Sequence, residues 1–144
     1  MTTLVTNTKS TIMPGLRYQN APAAIEWLCN VLGFERHAVY SGPDGTINHA
    51  ELTLHGGMVM LGSYKDDEYG RRFKSPEELG GFETCSTYVV VPDADAIYKR
   101  AQAAGARIVR SIEDTHYGSR EFGVKDLEGH TWSVGTYDPW IKKE

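Results

Sequence analysis

Two polar residues of one short segment have the spacing and the chemistry of a catalytic or metal-binding pair. His49 and Glu51 lie two residues apart in "TINHAELTL" (46–54), where alternating polar and apolar residues predict a half-buried strand. Residues i and i+2 of a strand point to the same face. An imidazole beside a carboxylate could ligate a metal ion or act as a base with its orienting group. A polar, solvated strand face without catalysis fits the same spacing and is the favoured interpretation, with the pair still near a cavity.

The densest group of polar side chains lies in "YGSREFGVKDLEGHTWSVGTY" (117–137) and suggests an active site built on Arg120, Asp126 and His130. However, "DLEG" occupies the place that the turn "HGG" occupies earlier in the chain. We therefore expect Asp126 and His130 to belong to hairpin geometry and Trp132 to pack beneath a helix. The chain has no zinc-binding, phosphate-loop or serine-nucleophile motif.

The elements that must position these residues occur twice in the sequence. A strand over Thr11–Tyr18 leads into Asn20, a good helix N-cap, and Gly33 is the expected left-handed stop of that helix. The second copy repeats this order with Ser86–Val91, Asp93 and Gly105. Three further strands follow each helix, so each copy has the order β-α-β-β-β.

This repeat predicts an α+β fold in one domain over 1–144. The two tandem β-α-β-β-β modules cover 11–64 and 85–138, and a polar connector covers 65–84, with one helical turn expected at 75–79. A helix can cover only one face of each sheet. The other face must meet the second module, within the chain or across a dimer, and we expect a curved mixed sheet with a concave cavity.

Composition sets the broad class of the protein. Of the 144 residues, 40% are hydrophobic and 24% are charged, which is ordinary for a globular domain, and the net charge of −4 argues against a nucleic-acid partner. No apolar stretch is long enough to cross a bilayer and no secretory signal is visible, so we expect a cytoplasmic protein without a membrane partner. Cys29 and Cys85 lie far apart in predicted elements, which favours two buried free thiols.

The paired modules resemble the vicinal oxygen chelate superfamily, which includes glyoxalase I, bleomycin-resistance proteins and extradiol dioxygenases. The resemblance rests on "APAAIEWLCNVLGFE", "HAELTLHGGMVML", "VPDADAIYKRAQAAGARIV" and "YGSREFGVKDLEGHTWSVGTY" and covers about residues 11–138. It is strongest to the PhnB-like, bleomycin-resistance-like branch. It implies the glyoxalase/bleomycin resistance fold and a homodimer, in which modules could be swapped between chains.

The resemblance also implies where a metal would bind. Metal-dependent members take His, Gln or Glu ligands from four strand positions, and these correspond here to Met13, Met60, Ser86 and Ser133. Methionine is a soft, weak ligand and serine is a poor one at neutral pH. We therefore expect no metal site and no cofactor; a divalent metal ion held through His49 and Glu51 is the alternative.

The predicted phases of the strands define a candidate ligand-binding set. Its members are Met13, Arg17, His49, Glu51, Met58, Met60, Ser86, Tyr88, Thr131 and Ser133. The favoured hypothesis is a protein that binds a small organic molecule, aromatic or antibiotic-like, without chemistry. The alternatives are a lyase, isomerase or dioxygenase of the same superfamily that uses His49 and Glu51, and a dimeric interaction module whose inner face is closed.

Overall fold

The computed structural model describes residues 9–141. The chain forms two compact units whose boundary in the sequence lies between Ser75 and Pro76, inside the predicted connector. Each unit contains one mixed four-stranded sheet and one α-helix, which confirms the predicted α+β class. Over the same residues, none of the helices has the length and apolar character needed to span a membrane.

The first unit has the predicted order of elements. They are β1 (Gly15–Tyr18), α1 (Ala21–Trp27), β2 (Glu35–Ser41), β3 (Ile47–Leu54) and β4 (Gly57–Ser63). The strand order in the sheet is β1-β4-β3-β2. β1 runs parallel to β4, and the other neighbours are antiparallel. The first strand, β1, therefore lies at one edge of the sheet and pairs with the last strand, β4, which lies inside the sheet.

Helix α1 begins and ends where the sequence predicts. The Asn20 side chain accepts a hydrogen bond from the Ala23 N–H at 3.2 Å. The helix continues as a π-helical turn over Leu28–Leu32 and stops at Gly33, whose φ of 89° suits glycine. The residues that α1 and the sheet bury together are Ala24, Ile25, Leu28, Ala50, Leu52, Val59 and Leu61. One face of the sheet is thus covered by the helix, and we call the opposite face of each sheet its helix-free face.

The second unit repeats this arrangement. Its elements are β5 (Thr87–Val90), α2 (Ala94–Ala103), β6 (Arg107–Asp114), β7 (Arg120–Lys125) and β8 (Thr131–Gly135), with strand order β5-β8-β7-β6. Asp93 caps α2 by accepting a hydrogen bond from the Ala96 N–H at 3.1 Å. Gly105 follows the helix with a φ of 69°. Both predicted caps and both glycine stops are confirmed.

Some predicted bounds are wrong. β1 begins at Gly15 rather than at residue 11, because Pro14 has no N–H to donate to the ladder. β5 begins at Thr87, so Ser86 lies just outside it. The connector contains two short 3-10 turns, Gly70–Arg72 and Glu77–Leu79, of which only the second was predicted.

The expectation of two buried thiols is also wrong. Cys29 is only partly buried, in the π-helical turn, and Cys85 is exposed in the segment before β5. Both are free cysteines.

The turn between β7 and β8 is organised by one buried carboxylate. Asp126 Oδ1 accepts hydrogen bonds from the Glu128 and His130 N–H groups, each at 3.0 Å. Its Oδ2 accepts from the Trp132 indole Nε1–H, also at 3.0 Å. Asp126 is 2% exposed and Trp132 is 1% exposed, on the helix-covered face. Asp126 and His130 therefore belong to hairpin geometry, as the sequence predicts.

Replacing Asp126 tests how much this turn stabilises the second unit. We expect Asp126→Ala to lower the free energy of unfolding by about 3 kcal/mol, because three N–H donors lose a charged acceptor and the indole donor is buried. Urea unfolding followed by tryptophan fluorescence measures the change. Asp66→Ala is the control, since that side chain is 83% exposed. Equal stability of the two variants would contradict this role.

Candidate functional site

Strand pairing determines which side chains of the first unit share its helix-free face. Met60 of β4 pairs with Glu51 of β3 and with Gly15 of β1. Arg17 pairs with Gly62, two residues beyond Met60. Directly paired residues lie on the same side of a sheet, as do residues i and i+2 of one strand. The candidates that this places on one face are Arg17, His49, Glu51, Met58 and Met60.

His49 and Glu51 form a direct contact on that face. His49 Nε2 lies 2.9 Å from Glu51 Oε2. The Tyr40 ring stacks on the imidazole, with ring centroids 6.1 Å apart and an interplanar angle of 25°. The His49 and Glu51 side chains are 41% and 28% exposed, so solvent or a ligand can reach them. With Nε2–H donating to Glu51, the imidazole Nδ1 retains a lone pair that could accept a proton or bind a metal ion.

The helix-free face of the second unit carries a different set of residues. Ser133 of β8 pairs with Tyr88 of β5 and with Gly123 of β7. Thr131 also lies on this face, but the Glu83 carboxylate accepts from its backbone N–H at 2.8 Å and from its hydroxyl at 2.5 Å. The hydrogen-bonding groups of Thr131 are therefore engaged within the unit.

Two candidates lie outside the strands that were expected to position them. Met13 precedes β1 by two residues and is 38% exposed. Ser86 precedes β5 and is exposed. Neither residue therefore belongs to a strand that would assign its side chain to a sheet face.

A buried carboxylate on the helix-free face of the second unit was missed by the sequence analysis. Glu121 of β7 is 3% exposed. Its Oε1 accepts hydrogen bonds from Arg110 Nη2 at 2.8 Å and from the Tyr117 hydroxyl at 2.7 Å. Burial by itself raises the pKa of Glu121, but the hydrogen bonds from Arg110, Tyr117 and Ser119 outweigh it and lower the pKa. Glu121 is therefore an ionised, fully engaged anchor for the 115–119 loop.

Tyr88 is held beside this anchor. Its hydroxyl donates a hydrogen bond to the Tyr137 carbonyl at 2.7 Å. Burial raises the pKa of the Tyr88 phenol, which keeps it protonated as a donor. A Cβ atom at Gly135 would lie 2.6 Å from the Tyr88 hydroxyl and 2.5 Å from Glu121 Cγ. Only glycine leaves room for both side chains at this position.

The role of Glu121 depends on a contact between two strands. Glu121 and Gly123 alternate with Phe122 and Val124, so parity alone places Glu121 on the helix-free face. Its partner Arg110 lies eleven residues earlier, on another strand. The pattern of one strand carries no information about that pairing.

The donor set at the family's metal-ligand positions does not fit a divalent ion. Met13 and Met60 offer thioethers at these four positions, and Ser86 and Ser133 offer hydroxyls. Thioethers and hydroxyls do not provide the carboxylate and imidazole donors that such ions need. Within 9–141, no three His, Cys, Asp or Glu side chains come close enough together to hold a metal ion.

The pH dependence of stability tests the Glu121 anchor. A carboxyl group whose pKa is lower in the folded state adds stability above its unfolded pKa and loses it as the pH falls through the folded pKa. We therefore expect Glu121→Gln to lower the free energy of unfolding at neutral pH by about 2 kcal/mol. The difference from wild type should shrink below the ordinary Glu pKa of 4.5.

Urea unfolding over a range of pH measures this difference. Glu113→Gln is the matched control, because Glu113 is an exposed glutamate on β6, directly opposite Glu121. A deficit in Glu121→Gln that stays constant well below that pKa would show that the charge of Glu121 does not stabilise the fold.

Comparison with known proteins places this geometry in a family. The model of the glyoxalase/bleomycin resistance protein/dioxygenase superfamily matches residues 11–134. The Mycobacterium tuberculosis protein Rv0887c, described as uncharacterized, is 33% identical over 133 residues, which are 92% of this chain and 78% of that protein.

Two solved structures extend the comparison. TioX from Micromonospora sp. ML1 is 35% identical with a TM-score of 0.67, over 88% of this chain and 97% of TioX. A superfamily member from Sphaerobacter thermophilus has the same fold at 20% identity and a TM-score of 0.63, over 88% of this chain and 97% of that one. The chain belongs to the glyoxalase/bleomycin resistance protein/dioxygenase superfamily, whose β-α-β-β-β arrangement both of its units display.

Proposed function

We propose that this protein binds a small organic molecule, aromatic or antibiotic-like, on the helix-free face of its first sheet, without the divalent metal of its catalytic relatives. The observation that carries the proposal is the residue set at the metal-ligand positions. Met13 and Met60 offer thioethers at these positions and Ser86 and Ser133 offer hydroxyls, in place of the imidazole and carboxylate donors of a coordination sphere.

The helix-free face of the first unit has an apolar part. Met58 and Met60 are half-buried in β4 and lie on the same face. Unbranched methionine side chains adapt to irregular apolar ligands. Polar groups at the margin of this surface, His49 and Glu51, would orient a bound molecule. This combination of an adaptable apolar surface and few polar groups is typical of small-molecule sites.

The alternative function is a lyase, isomerase or dioxygenase reaction that uses His49 and Glu51 with a divalent ion. The 2.9 Å contact between His49 Nε2 and Glu51 Oε2 is the observation in its favour, because it orients the imidazole. Two donors are fewer than the three or four that a protein usually supplies to a catalytic metal. Metal-free binding is therefore the better-supported function.

Metal loading distinguishes the two functions. We expect protein incubated with Fe(II), Mn(II), Ni(II) or Zn(II) and then desalted to retain far less than one metal ion per chain, because the available donors are too few and too soft. Elemental analysis measures the content. One retained ion per chain that is lost in His49→Ala would establish the alternative and end the metal-free proposal.

Ligand binding is tested with a neutral probe. We expect N-phenyl-naphthylamine to bind saturably and fluoresce, and Met60→Glu to weaken it about tenfold or more, because a carboxylate would be buried against an apolar ring. Leu127→Glu is the control, since Leu127 is 51% exposed in the hairpin turn of the second unit. Equal binding by wild type and Met60→Glu would place the probe elsewhere, and no saturable binding would count against the proposal.

A further inference from the structure

We infer that Arg17, flanked by the rings of Tyr69 and Phe73, forms a receptor for an anionic group, so that the ligand is an organic acid with a planar apolar body. This inference rests on the proposed binding function and specifies the chemical class of the ligand. It is carried by four observations on the first unit: the position of Arg17, its unused donors, its aromatic neighbours and the adjacent methionines.

The Arg17 side chain can lie over the sheet because its partner on β4, Gly62, has no side chain. A Cβ atom at Gly62 would lie 2.7 Å from Arg17 Nη1 and 3.0 Å from the Asn48 carbonyl oxygen. The guanidinium therefore lies across the position that a larger residue would fill. Arg17 is half-buried there, on the same face as Met60.

The charge of Arg17 has no acidic partner among residues 9–141. The arginines at 36, 71, 72, 107, 110 and 120 each pair with a carboxylate within 4.0 Å. Arg17 Nη1 instead donates one long hydrogen bond, 3.4 Å, to the Ser63 carbonyl. A guanidinium has five N–H donors, so most of the donor capacity of Arg17 is open to a ligand.

Two aromatic side chains of the connector lie against this cation. The Arg17 Cζ atom lies 5.5 Å from the centroid of the Tyr69 ring and 6.0 Å from that of Phe73. The two rings pack on each other at 5.1 Å. Cation–π contact uses the flat face of the guanidinium. Apart from the Nη1–H that donates to the Ser63 carbonyl, its N–H edge remains able to bind two oxygens of one acid group.

The residues next to Arg17 determine which kind of molecule could carry the acid group. Met60 and Met58 lie on the same face of β4 as the Gly62 position under Arg17. They precede Gly62 by two and four residues. An acid group on Arg17 would therefore place its attached body over the two methionines. Glu51, opposite Met60, would repel a second anionic group there. The geometry thus favours a monoanionic acid with an aromatic ring system, such as an aryl carboxylic acid.

The probes for this inference are naphthoate and its neutral isostere naphthamide, titrated into the 144-residue protein at fixed ionic strength. We expect wild type to bind naphthoate about tenfold or more tightly than naphthamide, because a charge-assisted hydrogen bond is worth at least that factor. Arg17→Met should lose this preference while keeping its affinity for naphthamide. Arg17→Lys, which keeps the charge but not the planar fork, should keep part of it.

Arg36→Met is the matched control, because Arg36 is an exposed arginine on β2 of the same sheet and should leave the preference unchanged. Urea unfolding of each variant checks that the fold is intact. Equal affinity of wild type for the two probes would overturn the anion receptor and leave the binding function standing. Loss of the preference in Arg36→Met as well would also overturn it. Should neither probe saturate, the receptor is overturned, and the separate N-phenyl-naphthylamine titration decides the binding function.

Discussion

A single helix can cover only one face of a four-stranded sheet, and this limit governs both units. Each unit has one helix, and that helix buries one face, where Leu52 and Val59 in the first unit and Phe122 and Trp132 in the second are almost fully buried. Side chains alternate between the faces, so every strand residue that faces the helix is followed by one that the helix cannot reach. The residues of the helix-free faces are therefore free of the requirement to be apolar. This is why the polar and titratable side chains collect there.

Glycines in the central strands then decide which long side chains can lie flat on those faces. Gly62 makes room for the guanidinium of Arg17, and Gly135 makes room for Tyr88 and Glu121. In both units a glycine makes room for a charged side chain, but the partners of that charge differ between the units. In the second unit the charge of Glu121 is neutralised internally by Arg110. In the first unit the Arg17 guanidinium contacts two aromatic rings and a carbonyl, and no carboxylate among residues 9–141 pairs with it.

The features that sequence predicted well are those determined by neighbouring residues. Asn20 with Gly33 and Asp93 with Gly105 bound their helices because capping depends on only a few adjacent residues. The shared face of His49 and Glu51 follows from strand parity alone. The arrangement of Glu121 with Arg110, and of Arg17 with two connector rings, depends on strand pairing and on the path of a polar segment. Neither arrangement follows from a local sequence pattern. The connector was expected only to join the two modules.

The parallel pairing of β1 with β4 has a consequence for the order of events during synthesis. The first unit closes when Gly15–Tyr18 meets Gly57–Ser63, and all four of its strands precede residue 64. Parallel neighbours so far apart in sequence form slowly, since the intervening chain must be ordered first. The ribosome adds residues slowly enough that this unit has all its strand partners while the second is still being made. The hydrophobic face of the nascent sheet can thus be covered before β5 emerges.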